Sequence, residues 1–129
     1  MPTYPPITEE SLVDFVASLG GVSFVEIMQH FGPASQGTHV LTWNGDDNLV
    51  IWGQISQPLQ SAIGAAITHQ RIYGIVTHPI IYLVDGQICN FPLAKTRTPH
   101  HYKTPHWVPV EFSTWKHLTP NQRKTAKSF

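Results

Sequence analysis

Residues 55 to 84 read ISQPLQSAIGAAITHQRIYGIVTHPIIYLV. Ser56 is a good helix cap, Pro58 suits a first turn, and Leu59, Ala62, Ile63, Ala66 and Ile67 recur at helical spacing. The opposite face shows Gln57, Gln60, Ser61, Gly64, Thr68 and His69, which is polar, uncharged and small enough to lie close to another surface. The period then changes. RIYGIV (71–76), a turn at His78-Pro79, IIYLV (80–84), the pair Asp85-Gly86 and QICNF (87–91) predict two or three strands. Asp-Gly between β-rich runs is a strong hairpin signal, because both central positions of a type I′ turn need positive φ. The stretch therefore predicts a helix running straight into an antiparallel sheet.

Working outward, Thr8 is positioned to cap a first helix with Glu9 and Glu10 in its opening turn, and Leu12, Phe15, Val16 and Leu19 form its apolar stripe before Gly20-Gly21. Ser23 and Glu26 have capping-box spacing for a short second helix over SFVEIMQHFG, which Gly32 ends. Residues 38 to 53, THVLTWNGDDNLVIWG, place β-branched and aromatic residues around Asn44-Gly45-Asp46-Asp47 and predict a hairpin. From Pro92 onward prolines at 99, 105, 109 and 120 break any periodicity, WVPVEF (107–112) reads as one short strand, and the last ten residues are expected to fray. The fold class is α+β: three helices, a small antiparallel sheet and an extended C-terminal arm.

A length of 129 residues fits one core plus appendages, and 41% hydrophobic content is that of a globular chain. No apolar run approaches the roughly 18 to 20 residues of a membrane span, and the start MPTYPPITEE lacks the charge and apolar pattern of an export signal. A cytoplasmic protein with no membrane partner is the expectation, and the single Cys89 reads as a small buried thiol. Eight bases balance eight acids overall, but they are segregated. Residues 1 to 94 hold Arg71 against seven acids, a balance of −6, whereas residues 95 to 129 hold seven bases against Glu111, a balance of +6. That asymmetry divides the chain into a 1–94 domain and a basic 95–129 arm, and it points to an anionic partner for the arm or to folding back on the acidic body.

The order of these elements resembles the winged helix-turn-helix superfamily. The likeness is carried by SLVDFVASLGGVSFVEIMQHFG for the first two helices, SQPLQSAIGAAITHQ for the third, and RIYGIVTHPIIYLVDG for the wing. It departs from the family in the insertion from Pro33 to Ile55, where a few residues normally join the second and third helices. The resemblance implies a third helix in the major groove and a wing on the backbone, with Gln57, Gln60, Ser61, Gly64, Thr68 and His69 facing DNA, and Arg71 and His78 near phosphates. Gln60 is then the candidate for reading adenine. Arg71 is the one permanent cation on that surface, so most phosphate contacts fall to Lys95, Arg97, Lys103, Lys116, Arg123 and Lys124 in the arm.

Eight histidines raise the question of a metal. His100, His101 and His106 are the weak candidates, since Pro99 and Pro105 prevent a helix, and a polyproline-like segment at about 3.1 Å per residue holds the two Thr-Pro-His units on the order of 19 Å apart. No hydrolase, phosphate-loop or dinucleotide motif is present. The reading is thus a non-catalytic nucleic-acid-binding protein without cofactors, DNA preferred over RNA. The alternatives are a protein-interaction module whose arm wraps a partner, and a histidine-dependent metal-binding protein or nuclease using His100 or His106 with Lys103. A solvated linker is the plain reading of KTRTPHHYKTPHW (95–107), against which stand Tyr102 and Trp107 as rings that track a strand, or Trp107 and Trp115 as rings that pin the tail to the core. Homodimerisation through the first helix or the 38–53 hairpin suits such a fold, though no apolar surplus marks an interface.

Overall fold

The computed structural model describes residues 3–85 and 89–126. It is a mixed α+β fold in which, among the described residues, five helices surround one three-stranded and one two-stranded sheet.

Local chemistry sets the first half. Helix α1 (Glu9–Leu19) opens with a capping box, Ser11 N–H donating to the Thr8 hydroxyl and Thr8 N–H to the Ser11 hydroxyl, both at 3.0 Å. It ends at Gly20, whose φ of 82° is the left-handed conformation a helix stop favours. Helix α2 (Phe24–Phe31) is capped reciprocally by Ser23 and Glu26. Strands β1 (Gln36–Trp43) and β2 (Asp46–Ile55) form the hairpin around Asn44 and Gly45, both at positive φ (52° and 74°), as a type I′ turn requires. Helix α3 (Gln57–Thr68) is capped by the Ser56 hydroxyl and buries Leu59, Ala62, Ile63, Ala66 and Ile67.

The second half departs from the expected wing. Strand β3 (Tyr73–Val76) does not turn back on residues 80–84, because those residues begin helix α4 (Ile80–Asp85). Gly86 of the expected Asp85-Gly86 turn, and Gln87 and Ile88 of the expected strand QICNF, lie outside the described residues. Helix outcompetes strand here through tertiary packing. Pro79 sits just ahead of the first turn, His78 Nδ1 accepts the Ile80 N–H at 3.1 Å, and the turn delivers Tyr82 into the core, where it is fully buried. The Tyr82 hydroxyl donates to Val110 O at 2.6 Å and accepts from Phe24 N–H at 3.2 Å, with its ring against Trp52 and Trp107.

The partner of β3 is β5 (Val110–Ser113), antiparallel from Tyr73 opposite Ser113 to Val76 opposite Val110. On its other side β5 meets the α1–α2 junction, where Val22 and Phe112 exchange two 2.8 Å backbone hydrogen bonds. Strand β4 (His106–Trp107) runs parallel to β2, completing the order β1-β2-β4. The expected strand 107–112 is therefore two strands in different sheets, separated by Val108-Pro109.

These strands also correct the picture of an extended arm beginning at 95. Trp107, Val108, Val110 and Phe112 belong to the same buried cluster as Leu12, Phe24, Leu49 and Ile63. Burial of such a side chain stabilises by about 1.5–3 kcal/mol. Releasing the four would cost about 6–12 kcal/mol, of the order of a domain's whole stability of about 5–15 kcal/mol. Beyond β5 come a 3₁₀ turn (Trp115–His117) and helix α5 (Pro120–Thr125), capped by Thr119, where fraying is expected from sequence. No helix among the described residues is long and apolar enough to cross a membrane.

Candidate nucleic-acid interface

On α3, Gln57, Ser61, Gly64 and Thr68 form an exposed stripe, and a Cβ added at Gly64 would meet no atom within 4 Å. Gln60 is turned away from it, its side-chain amide donating to Val40 O on β1 at 2.9 Å. The two basic residues after the helix are engaged as well. His69 Nδ1 lies 2.9 Å from Glu9, and Arg71 binds Glu10 in a two-pronged pair at 2.6 and 2.9 Å while reaching Glu9 at 3.2 Å. The bond from His69, and then that from Arg71, holds the Glu9 carboxyl below the usual range; the Arg71 bond does the same for Glu10. One guanidinium facing two carboxylates leaves this end of α3 without positive charge to offer a phosphate. His78 serves as the cap of α4, as described above.

The segment 95–107 doubles back instead of extending. His100 takes a left-handed φ of 59°, and its N–H donates to Asp46 Oδ2 at 2.8 Å. Asp46 Oδ1 accepts from Asn48 N–H at 3.0 Å, so the aspartate beside the β1–β2 turn fastens the loop, and these bonds, that from His100 first, hold its carboxyl low. The Asn48 amide donates to Tyr102 O at 2.9 Å, and the Tyr102 hydroxyl accepts from the Lys95 N–H at 2.7 Å and the Thr96 N–H at 3.3 Å. His106 stacks on the Tyr102 ring at 3.7 Å and His101 meets it edge-on at 4.8 Å. An isolated Thr-Pro repeat favours extension, but a buried carboxylate accepting backbone N–H groups makes the reversal the better solution. Among the described residues no group of three or more His, Cys, Asp or Glu side chains is arranged to hold a metal ion.

All of this attachment uses backbone groups, rings, the Tyr102 hydroxyl and the side chains of Asp46 and Asn48. The side chains of Lys95, Arg97 and Lys103 stay exposed, as do those of Lys116, Arg123 and Lys124, and among the described residues none of the six forms an ion pair. The two tryptophans of the tail part company. Trp107 is buried against Trp52 and Tyr82, whereas Trp115 is 46% exposed. Arg123 lies over the Trp115 ring at 5.1 Å and donates to Trp115 O at 3.0 and 3.2 Å, and the Tyr73 ring is 5.2 Å away. Sequence reading reaches Arg123 but misses Tyr73 and Trp115 as a unit, because they meet only through the β3–β5 ladder.

Two concave sites carry less. A groove of about 510 Å³ between β5 and α5 is lined by Thr77, Glu111, His117 and Asn121, and its carboxylate, bonded by Thr77 at 2.9 Å, disfavours phosphate. A groove of about 250 Å³ is lined by Val40, Trp52, Cys89 and Phe91, where burial pushes the Cys89 thiol up, away from the reactive thiolate. No family model, curated protein or solved structure matches the chain.

Proposed function

We propose that this protein binds nucleic acid without catalysing a reaction, as an elaborated winged-helix-type module, with DNA preferred to RNA. One observation carries the reading: a basic segment folds against an acidic body, yet its six described cations are all exposed and none of them forms an ion pair. A tail that served only its own domain would pair those charges with carboxylates of the acidic body. The winged-helix reading is supported by α3 leading directly into β3, and by the Val22, β5, β3 arrangement behind α1 and α3. In it the wing is the long excursion 77–109, packed onto the inserted β1–β2 hairpin through β4. Phosphate contacts come from Lys95, Arg97, Lys103, Lys116, Arg123 and Lys124, and the small stripe of α3 contributes shape.

The test is anisotropy of labelled duplex, single-stranded DNA and RNA across a salt series. If all six cations meet duplex phosphates, log K falls against log salt with a slope of about −5, and Lys95→Ala/Arg97→Ala/Lys103→Ala halves it to about −3. Binding indifferent to salt, or absent at low salt, would sink the proposal. The competing reading, a protein-interaction module, draws on exposed Val40 and Phe91 beside the 250 Å³ groove.

A further inference from the structure

Residues 112–129 contain four bases and no acid, and within them stands the one tryptophan that is not buried. Trp43, Trp52 and Trp107 are each 4% exposed against 46% for Trp115. A large exposed ring normally folds inward, since its burial is worth more than that of any other side chain here. Trp115 is instead built into a fixed display. Its carbonyl anchors Arg123 by two hydrogen bonds, the guanidinium lies over its ring, and Tyr73 flanks it at an interplanar angle of 55°, a tilt that leaves the indole uncovered by a parallel ring. Lys116 and Lys124 are exposed next to these residues in the chain, and Glu111, the nearest acid in sequence, is bonded to Thr77.

We propose that Trp115, Tyr73 and Arg123 form a stacking site for an unpaired nucleobase, so that the protein holds single-stranded nucleic acid at this corner. The ligand class follows from the chemistry. Three cations repel a cationic guest, and a neutral ring would leave them unused. A nucleotide chain presents both a flat π-face, which stacks on indole or guanidinium, and phosphates for Lys116 and Lys124. A base paired within a duplex hides its face, so the site selects single strands or unpaired ends. This inference rests on the nucleic-acid reading and adds a strand state and a site to it.

The experiment uses the full chain with three probes: a short labelled oligothymidylate, an abasic oligonucleotide of equal length, and a blunt duplex. Stacking on Trp115 quenches intrinsic fluorescence with oligothymidylate and protects it from iodide, whereas the abasic strand leaves the emission unchanged. Trp115→Ala should lose about tenfold in affinity for oligothymidylate, and Trp115→Phe less, while both bind blunt duplex and abasic strand within about twofold of the parent. Equal loss on all three probes, or oligothymidylate binding by Trp115→Ala within about twofold of the parent, overturns the stacking site and leaves the broader reading intact. If the parent binds none of the probes at low salt, the broader reading falls and the site with it. Arg123→Ala keeps the ring and should weaken oligothymidylate binding with a smaller salt slope, which guards against a folding defect in Trp115→Ala.

Discussion

Tyr82→Phe removes one oxygen and tests the least expected part of the fold. The Tyr82 hydroxyl joins Phe24 N–H at 3.2 Å to Val110 O at 2.6 Å, and all three residues are fully buried. Without it the amide and the carbonyl lose that partner where water does not reach, at about 1–3 kcal/mol for each unsatisfied group. The carbonyl retains a second lone pair and lies at the low end, so about 2–4 kcal/mol in total is expected. For a chain of this size that corresponds to a melting point lower by roughly 8–16 °C. Tyr82→Ala adds a cavity and should cost about 3–5 kcal/mol or more. Urea unfolding of the parent and Tyr82→Phe, with Tyr4→Phe as an exposed control expected within about 0.5 kcal/mol, measures the difference. If Tyr82→Phe also falls within about 0.5 kcal/mol, the hydroxyl faces solvent, as it would on a wing strand, and the packing of α4 against β5 and α2 is refuted.

Gly64→Ala should stabilise by about 0.5–1 kcal/mol in chemical unfolding, because the site is helical, exposed and open to a Cβ; a destabilised variant would mean that the α3 stripe is not free. Glu9 and Glu10 have depressed carboxyl pKa values, so their stabilisation is present above the ordinary value of 4.5 and is lost as pH falls below it through the folded values. Arg71→Gln should therefore flatten the acid limb of a stability-against-pH profile, and an unchanged limb would show the pairs to be idle. Asp46→Ala frees the His100 and Asn48 amides, and trypsin should then cut after Arg97 and Lys103 faster than in the parent while melting of the bulk fold changes little. Equal cleavage rates would show that Asp46 does not hold the loop.

Elements whose cause lies within a few residues are legible in the sequence. Thr8 with Ser11, Ser23 with Glu26, Ser56 with Leu59, and Asn44-Gly45 each act over four positions or fewer, and each helix and the hairpin stand where those signals put them. Illegible are the features decided by distant partners. IIYLV has the composition of a strand, and only the Phe24 amide and the Val110 carbonyl reward a turn of helix that buries Tyr82. KTRTPHHYKTPHW reads as an extended connector until Asp46 and Asn48, more than fifty residues earlier, supply the groups that bend it. The same limit applies to the candidate site. The six arm cations are visible in the sequence, whereas the neutralisation of Arg71 by Glu10 and the meeting of Tyr73 with Trp115 depend on pairings that periodicity does not encode.

The ladder between β3 and β5, and the bridge from Val22 to Phe112, impose an order on the protein's birth. As the chain is made from its first residue, α1, the β1–β2 hairpin and α3 can form from what is already present, but the edges of Val22 and β3 wait for residues 110–113. Until then Phe24 lacks its Phe112 neighbour and Leu49 and Val50 lack their β4 partners, and the closure that supplies them joins distant parts of the chain, which is the slow kind of contact to make. Closure of this fold thus waits for residues 110–113 to be made, and a nascent chain halted before β5 carries an unfinished sheet edge that other chains can pair with.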